Sequence, residues 1–311
     1  MYNQFLLLLR KSKKTYKISL KIYCLIKIKY VKFTKNTISV SNLKKEKILL
    51  SIDNITYVKE IVDNFEFYFD SVQKFDKKTL DFSSKNFHKL NNFSFNNSLL
   101  FSTVPTPSIT SKLYIDITKP LDGEIVFDLG SYCGVTVIDY LLKVGTKGLV
   151  VGVEPDKTSF ECLESNLEIF KKTFPGHNFH LENLAIAKTS GEVIFSNNAD
   201  MSSAVKDISS ILYQQKQNLI KINSINLTDL AIKLNIKKVD IIKADIEGSE
   251  VAAFSDSNFF KLYNPRIILE PITMKGKNSA EEIDKVLFSY GYKKEAFKQA
   301  GSKVPLLLYS R

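Results

Sequence analysis

The chain has few cysteines, almost no arginine and no long apolar run, and each shortage removes a class of protein. Of 311 residues only Cys24, Cys133 and Cys162 are cysteines, an odd number without a Cys-x-x-Cys pair. That argues against a disulfide framework and for a reducing compartment, so a cytoplasmic location is expected. No stretch of about 18 apolar residues is present to span a membrane. The short run Phe5 to Leu9 is followed rather than preceded by basic residues, the wrong order for a secretory signal. The three histidines, His88, His177 and His180, have no cysteine or carboxylate at zinc spacing and read as structural or surface residues. Nucleophile-elbow, phosphate-loop and kinase signatures are missing as well.

Only Arg10, Arg266 and Arg311 are arginines among 44 basic residues. Arginine is the side chain that reads bases and phosphates with two parallel hydrogen bonds, so nucleic acid is not the expected partner. The net charge of +11 is concentrated. Residues 1–50 hold 13 Lys/Arg against the single acid Glu46, and the remainder is close to neutral. A basic extension of this kind suits peripheral contact with an anionic membrane, at an inner surface if the protein is cytoplasmic. A segment that only packs on the domain is the plainer reading, and the Lys, Asn and Ile richness also fits a genome-wide compositional bias.

The pattern along the chain separates three regions. Residues 1–50 form the basic extension, in which Ile26-Lys27-Ile28-Lys29 alternates like a strand within surroundings that also suit an amphipathic helix. Residues 51–123 read as an accessory α+β region. Ile55 to Ile61 suits a helix, and Phe65, Phe67 and Phe69 alternate with Glu66 and Tyr68 as in a half-buried strand. Asn91 to Ser98 reads as loop, and Leu113 to Ile117 resumes regular structure after Pro105 and Pro107. From Glu124 to residue 311 the pattern becomes strand, glycine turn, helix, strand. Strands are expected at Ile125 to Phe127, Leu149 to Val153, Asn178 to Leu181, Val239 to Ala244, Ile267 to Glu270 and Val304 to Tyr309. Helical stripes lie at Val135, Ile138, Leu141 and Leu142, at Phe160 to Phe170, and at Ile283 to Tyr290. Alternation of this kind builds an α/β fold, a parallel doubly wound sheet with helices on both faces.

In such sheets ligands gather at the carboxyl ends of the strands. The first strand ends in Asp128-Leu129-Gly130-Ser131-Tyr132-Cys133-Gly134, a Gly-x-x-x-Gly turn with a carboxylate two residues ahead. An acid there disfavours a pyrophosphate and suits a ligand carrying an amine and a sulfonium, which argues for S-adenosylmethionine over NAD. A plain turn with Asp128 capping the helix is the alternative. The second strand ends in Glu154, 20 residues after Gly134, where a carboxylate can accept both ribose hydroxyls. Asn183-Leu184-Ala185 follows the third strand, where Asn183 and Ala185 are candidates for the adenine surroundings. The fourth ends in Lys243-Ala244-Asp245-Ile246-Glu247-Gly248-Ser249-Glu250. Charges at a buried strand end need partners, so Lys243 is expected to contact Asp245 or Glu247. Asp245 or Glu247 can serve as a general base. With Glu270 they can instead hold Mg²⁺, or they only orient cofactor and loop.

These residues resemble the FkbM-type methyltransferases. The resemblance rests on Val126-Phe127-Asp128-Leu129-Gly130 with Gly134, Val153-Glu154-Pro155, Asn166, Ala185 with Gly191, Ser202-Ser203, Ile241 to Glu250, and Pro265 to Glu270. It implies a class I, Rossmann-like methyltransferase fold with strand order 3-2-1-4-5-7-6 and the last strand antiparallel. It also implies S-adenosylmethionine as donor and a hydroxyl of a sugar, glycan or small natural product as acceptor. By position, Asp128, Gly130, Ser131, Tyr132 and Gly134 would cradle the methionine end and Glu154 the ribose. The acceptor-side candidates are Lys243, Asp245, Glu247 and Glu270. Two positions depart from the family pattern. Pro271-Ile272 stands where a His often follows the fifth-strand Glu, and Leu227-Thr228-Asp229 stands for Thr-Leu-Asp. The chain has neither an Asn/Asp-Pro-Pro-aromatic turn nor a Pro-Cys, so nucleic-acid acceptors are disfavoured. A non-catalytic cofactor-binding module, or an NAD-dependent oxidoreductase or epimerase, are the competing readings.

Overall fold

The computed structural model describes residues 13–73, 78–93, 95–106, 108–196, 204–206, 219–271, 273–274, 277–299, 302 and 304–311. The run Phe5 to Leu9 and the pair Ser202-Ser203 lie outside the described residues. Contacts divide the chain into two compact units, Met1–Pro107 and Ser108–Arg311.

In the first unit, α1 (Lys13–Ile26) leads to β1 (Tyr30–Phe33), β2 (Thr37–Ser41) and β3 (Lys47–Ser51). A 3₁₀ turn at Ile52–Tyr57 then runs into α2 (Val58–Asp63) and α3 (Phe65–Ser71). β4 (Thr79–Phe82) completes a four-stranded sheet of order β1-β2-β3-β4, and β5 (Asn86–His88) pairs with β6 (Leu99–Phe101). The expected strand at residues 65–69 is a helix. Phe65, Tyr68 and Phe69 are the buried positions, at helical spacing, and the Phe65 and Phe69 rings stack at 5.5 Å. Five consecutive aromatic or acidic residues satisfy both periods, and packing selected the longer one. The ambiguous stretch around Ile26 is the end of α1 followed by a turn.

The second unit opens with α4 (Ser108–Thr118), which lies ahead of the change of pattern at Glu124 yet belongs with the strands and helices beyond it. Next come β7 (Ile125–Leu129), α5 (Val135–Val144), β8 (Leu149–Val153), α6 (Lys157–Thr173) and β9 (Asn178–Glu182). A separate four-stranded sheet of order β10-β13-β11-β12 is made of β10 (Ala185–Ile186), β11 (Gly191–Ser196), β12 (Ala204–Lys206) and β13 (Leu219–Ile225). The chain returns through α7 (Leu227–Lys233), β14 (Ile241–Ala244), α8 (Glu250–Phe254), α9 (Ser257–Leu262) and β15 (Arg266–Leu269). It ends with β16 (Thr273–Met274), β17 (Lys277–Asn278), α10 (Ser279–Ser289), β18 (Lys293–Phe297) and β19 (Leu306–Ser310).

The main sheet has seven strands in the order β18-β19-β15-β14-β7-β8-β9. Read from the other edge this is 3-2-1-4-5-7-6. β19 runs antiparallel to both neighbours, and the pairings among β9, β8, β7, β14 and β15 are all parallel. The expected class I methyltransferase fold is therefore present. The pattern did not disclose β18. Its Lys293-Lys294-Glu295 start is exposed, as suits an edge strand, and carries no apolar alternation. The core packs Phe127, Val151, Ile242 and Ile267 of the sheet against Leu230, Phe254 and Phe259 of the helices. The three cysteines are buried and none is in a disulfide. No helix among the described residues is long and apolar enough to cross a membrane.

Candidate functional site

β7 and β14 lie side by side in parallel register, with Asp128 directly opposite Lys243 and Leu129 opposite Ala244. Side chains at paired positions share a face, so this register brings the two charges together. The Lys243 Nζ lies 3.1 Å from Asp128 Oδ1 and donates a 2.7 Å hydrogen bond to the Gly130 carbonyl. Both side chains are buried. Lys243 was expected to pair with Asp245 or Glu247; its ion pair is instead with Asp128, set by strand register rather than by proximity in sequence. Burial alone would pull the ammonium pKa down, but the charges of Asp128 and Asp245 outweigh it and hold Lys243 charged. Burial pushes the Asp128 carboxyl up, and Lys243 opposes that shift. The Thr136 side chain also bonds the Asp128 carboxylate, beside the close ion pair with Lys243. Asp128 is thus a compensated charge and not a free negative group facing a ligand. The electrostatic preference for a cationic donor cannot rest on this carboxylate alone.

The turn after β7 is held from both sides. Gly130 and Ser131 donate backbone hydrogen bonds to the Val153 carbonyl at 2.9 and 3.1 Å, and Ser131 Oγ donates to the Asp128 carbonyl at 2.8 Å. Gly130 has φ 76°, and a Cβ built there would lie 1.9 Å from the Asp245 carbonyl oxygen. The glycine is required by the close passage of the β14 end, a reason that a ligand-centred reading does not supply. Gly134, at φ 88°, is the N-cap of α5 and offers no side-chain cap. Asp128 meets the first turn of this helix through the Thr136 side chain. A Cβ on Gly134 would strike Leu163 of α6 at 2.6 Å. Tyr132 between them also has a positive φ, 48°.

Glu154 lies just beyond β8 and is buried. Its two carboxylate oxygens accept hydrogen bonds from the backbone amides of Tyr132 and Asp156, both at 2.8 Å. Glu154 thereby ties the glycine turn to the second strand end. The N-cap of α6 is Asp156, whose side chain accepts from the Ser159 amide. Desolvation pushes the Glu154 pKa up to about 8 against the pull of those two amides. Beyond those two amides the group keeps acceptor capacity and, while protonated, one O–H donor. Asn183 donates from Nδ2 to the carbonyls of Glu154 and Pro155, at 2.8 and 3.2 Å, and steadies the same strand end. Ala185 is buried in β10 of the second sheet, where it pairs with Ser224.

On the far side of the turn, the Asp245 amide donates to the Leu129 carbonyl at 3.0 Å, and the Asp245 side chain is half-buried. Glu247 is half-buried in a left-handed turn, φ 50°, with Gly248 next at φ 102°. Glu250 is buried and its Oε1 accepts from the Ile246 amide at 3.3 Å, closing that turn; desolvation pushes its pKa up to about 7. Glu270 is half-buried at the end of β15, its Oε1 3.5 Å from Ser302 Oγ. Among the described residues no group of three His, Cys, Asp or Glu is arranged to hold a metal ion. Asp245, Glu247 and Glu270 do not form the Mg²⁺ set that was one expectation, and the buried cation between these strand ends is Lys243 itself.

Tyr114 of α4 escaped the sequence reading. Its ring faces Lys243 Nζ at 5.6 Å, and its phenol is held protonated by burial and by the nearby charges of Asp245, Glu270 and Asp128. No motif marks it. The signal is tertiary, because α4 lies outside the strand-turn-helix pattern.

The sequence matches the model of the methyltransferase FkbM domain over residues 128–294. No curated protein matches the chain. Among solved structures it is similar to methyltransferase FkbM from Methylobacillus flagellatus KT, with 13% identity and a TM-score of 0.46 over 84% of this chain and 55% of that one. The chain thus spans about half the length of that protein. It is also similar to Aeropyrum pernix fibrillarin with natively bound S-adenosyl-L-methionine, with 11% identity and a TM-score of 0.40 over 90% and 97% of the two chains. A third is the O-methyltransferase from Bacillus cereus in complex with SAH, with 13% identity and a TM-score of 0.39 over 67% and 81%.

Proposed function

This chain belongs to the FkbM methyltransferase family, and from that premise we propose that it methylates a hydroxyl oxygen of a sugar, glycan or small natural product. The methyl donor of the family is S-adenosylmethionine, which supplies an electrophilic methyl group on a sulfonium. The protein's own residues bind and align. Glu154, once ionised, would accept from the ribose hydroxyls beside the Gly130 to Gly134 turn that it braces. Lys243, locked to Asp128 and the Gly130 carbonyl, is a positioning residue for that turn.

An alcohol is a weak nucleophile and gains from a base at its proton. Asp245 carries this reading: it is the half-buried carboxylate directly beyond β14, and its carbonyl touches the space over Gly130. In the proposed reaction its carboxylate would accept the proton of the acceptor hydroxyl, whose oxygen takes the methyl group as the sulfonium becomes a thioether. Glu247, Gly248 and Glu250 shape the turn that presents it. Replacing Asp245→Asn is expected to cut turnover by about 10²–10⁴ while cofactor affinity, read by titration calorimetry, stays within about twofold. Unchanged turnover removes the base assignment. The acceptor class is tested by mass spectrometry of cellular glycans with and without the gene, where loss of a single methyl increment is expected.

A further inference from the structure

We infer that one end of the accessory unit is a docking surface for an anionic lipid bilayer. The inference starts from α1. Its inner face buries Tyr16, Leu20, Tyr23 and Cys24. Its outer face carries Ile18, Ile22, Leu25 and Ile26, at intervals of one and two helical turns, and each is half to two-thirds exposed. A helix that packs one side on its own unit gains nothing in water from a second aliphatic side.

The turn that ends α1 sharpens the point. Lys29 donates to the Cys24 carbonyl at 2.8 Å and Ile28 to the Leu25 carbonyl at 3.0 Å, the paired bonds of a Schellman cap. The residue that must be left-handed in such a cap is ordinarily glycine. Here it is Ile28, at φ 57° and more than half exposed. A β-branched side chain in that conformation is strained, so the helix end itself would favour glycine and does not account for the isoleucine.

Strand register places basic groups at the same end of the unit. Ile28 leads directly into Tyr30, and Tyr30, Ser41, Lys47 and Thr79 are successive partners across β1, β2, β3 and β4. Those four residues line an open cleft of about 570 Å³ together with exposed Leu43 and the lysines Lys45 and Lys78. Among the described residues, no carboxylate lines it. Aliphatic side chains beside a lysine-rich cleft match a bilayer with negative headgroups: the former enter the acyl boundary and the latter meet the phosphates. A soluble polyanion would use the lysines and leave the aliphatic side chains idle, so the bilayer accounts for more of the surface.

The test uses the full chain and co-sedimentation with vesicles of phosphatidylcholine and phosphatidylglycerol at about 7:3, against phosphatidylcholine alone. Binding to the anionic vesicles only is expected, weakening with added salt. The pair Leu25→Ser and Ile26→Ser should reduce it about tenfold or more. Ile28→Gly should also weaken binding while raising the thermal midpoint by about 2–4 °C, because it relieves the left-handed isoleucine. A midpoint that falls instead, equal binding to neutral vesicles, or no binding at all overturns the inference. So does binding that Lys45→Gln, Lys47→Gln and Lys78→Gln abolish but the Leu25 and Ile26 changes leave intact, an outcome that assigns the surface to a soluble polyanion.

Discussion

At the amino end of the seven-stranded sheet, Arg266 Nη2 meets both oxygens of Glu124, at 3.0 and 2.7 Å, and its Nε donates to the Thr118 carbonyl. At the carboxyl end, Lys243 faces Asp128 at 3.1 Å, and both side chains are buried. Each pair joins β14 or β15 to the start or finish of β7. The Arg266 pair is partly open to water and hydrogen-bonded at both carboxylate oxygens, as suits a clamp. The Lys243 pair is buried, and the desolvation that this costs is tolerated where a site must be held in shape. The difference separates a structural ion pair from one that serves the glycine turn.

Breaking each pair should expose that difference. Lys243→Met leaves Asp128 buried without compensation and is expected to cost about 3–5 kcal/mol, with loss of cofactor affinity. Arg266→Met is expected to cost about 1–2 kcal/mol and to leave affinity intact. Urea unfolding and titration calorimetry on the two variants check both. Equal effects on affinity would erase the distinction.

The carboxyl end should also be the less forgiving of a single added methyl group. Gly130→Ala combines a left-handed backbone with a Cβ 1.9 Å from the Asp245 carbonyl, so β14 must move. A loss of about 2–4 kcal/mol and a displaced Asp245 are expected, measured as unfolding free energy together with turnover.

A smaller effect concerns pH. The Glu154 pKa stands at about 8 in the folded chain against an ordinary 4.5. The folded state therefore holds a proton that the unfolded state has released. Its contribution to stability is complete below 4.5 and is lost as pH rises to about 8. Glu250 and Asp139, both pushed up to about 7 by burial, slope the same way. Glu154→Gln should remove its share, about 2 kcal/mol between about pH 6 and about pH 8. Unfolding midpoints across that range check it, and parallel curves for the two proteins would refute the Glu154 share.

Much of the second unit was legible from local pattern. Leu149 to Val153 is a strand with the expected bounds, and the strand order implied by the resemblance is the order present. β18 was not legible because an exposed edge strand has no apolar period to read. The helix at Phe65 was misread because its aromatic run fits two periods. In the site, Glu154 lies at the second strand end and accepts from the Tyr132 amide, a contact that its spacing did not disclose. The partner of Lys243 and the role of Tyr114 were not accessible in the same way.

By itself the amino-acid sequence determined the core strands and helices of the second unit, the positions of the glycines, and the acids that close the first, second and fourth strands. These depend on short-range periodicity and on backbone freedom, which neighbours in the chain specify. Only the tertiary structure decided that Lys243 neutralises Asp128, that Gly130 is small because Asp245 passes over it, and that an isoleucine ridge stands exposed beside a lysine-lined cleft. Those facts depend on which strands lie side by side and in what register, and distant segments must meet before either is settled.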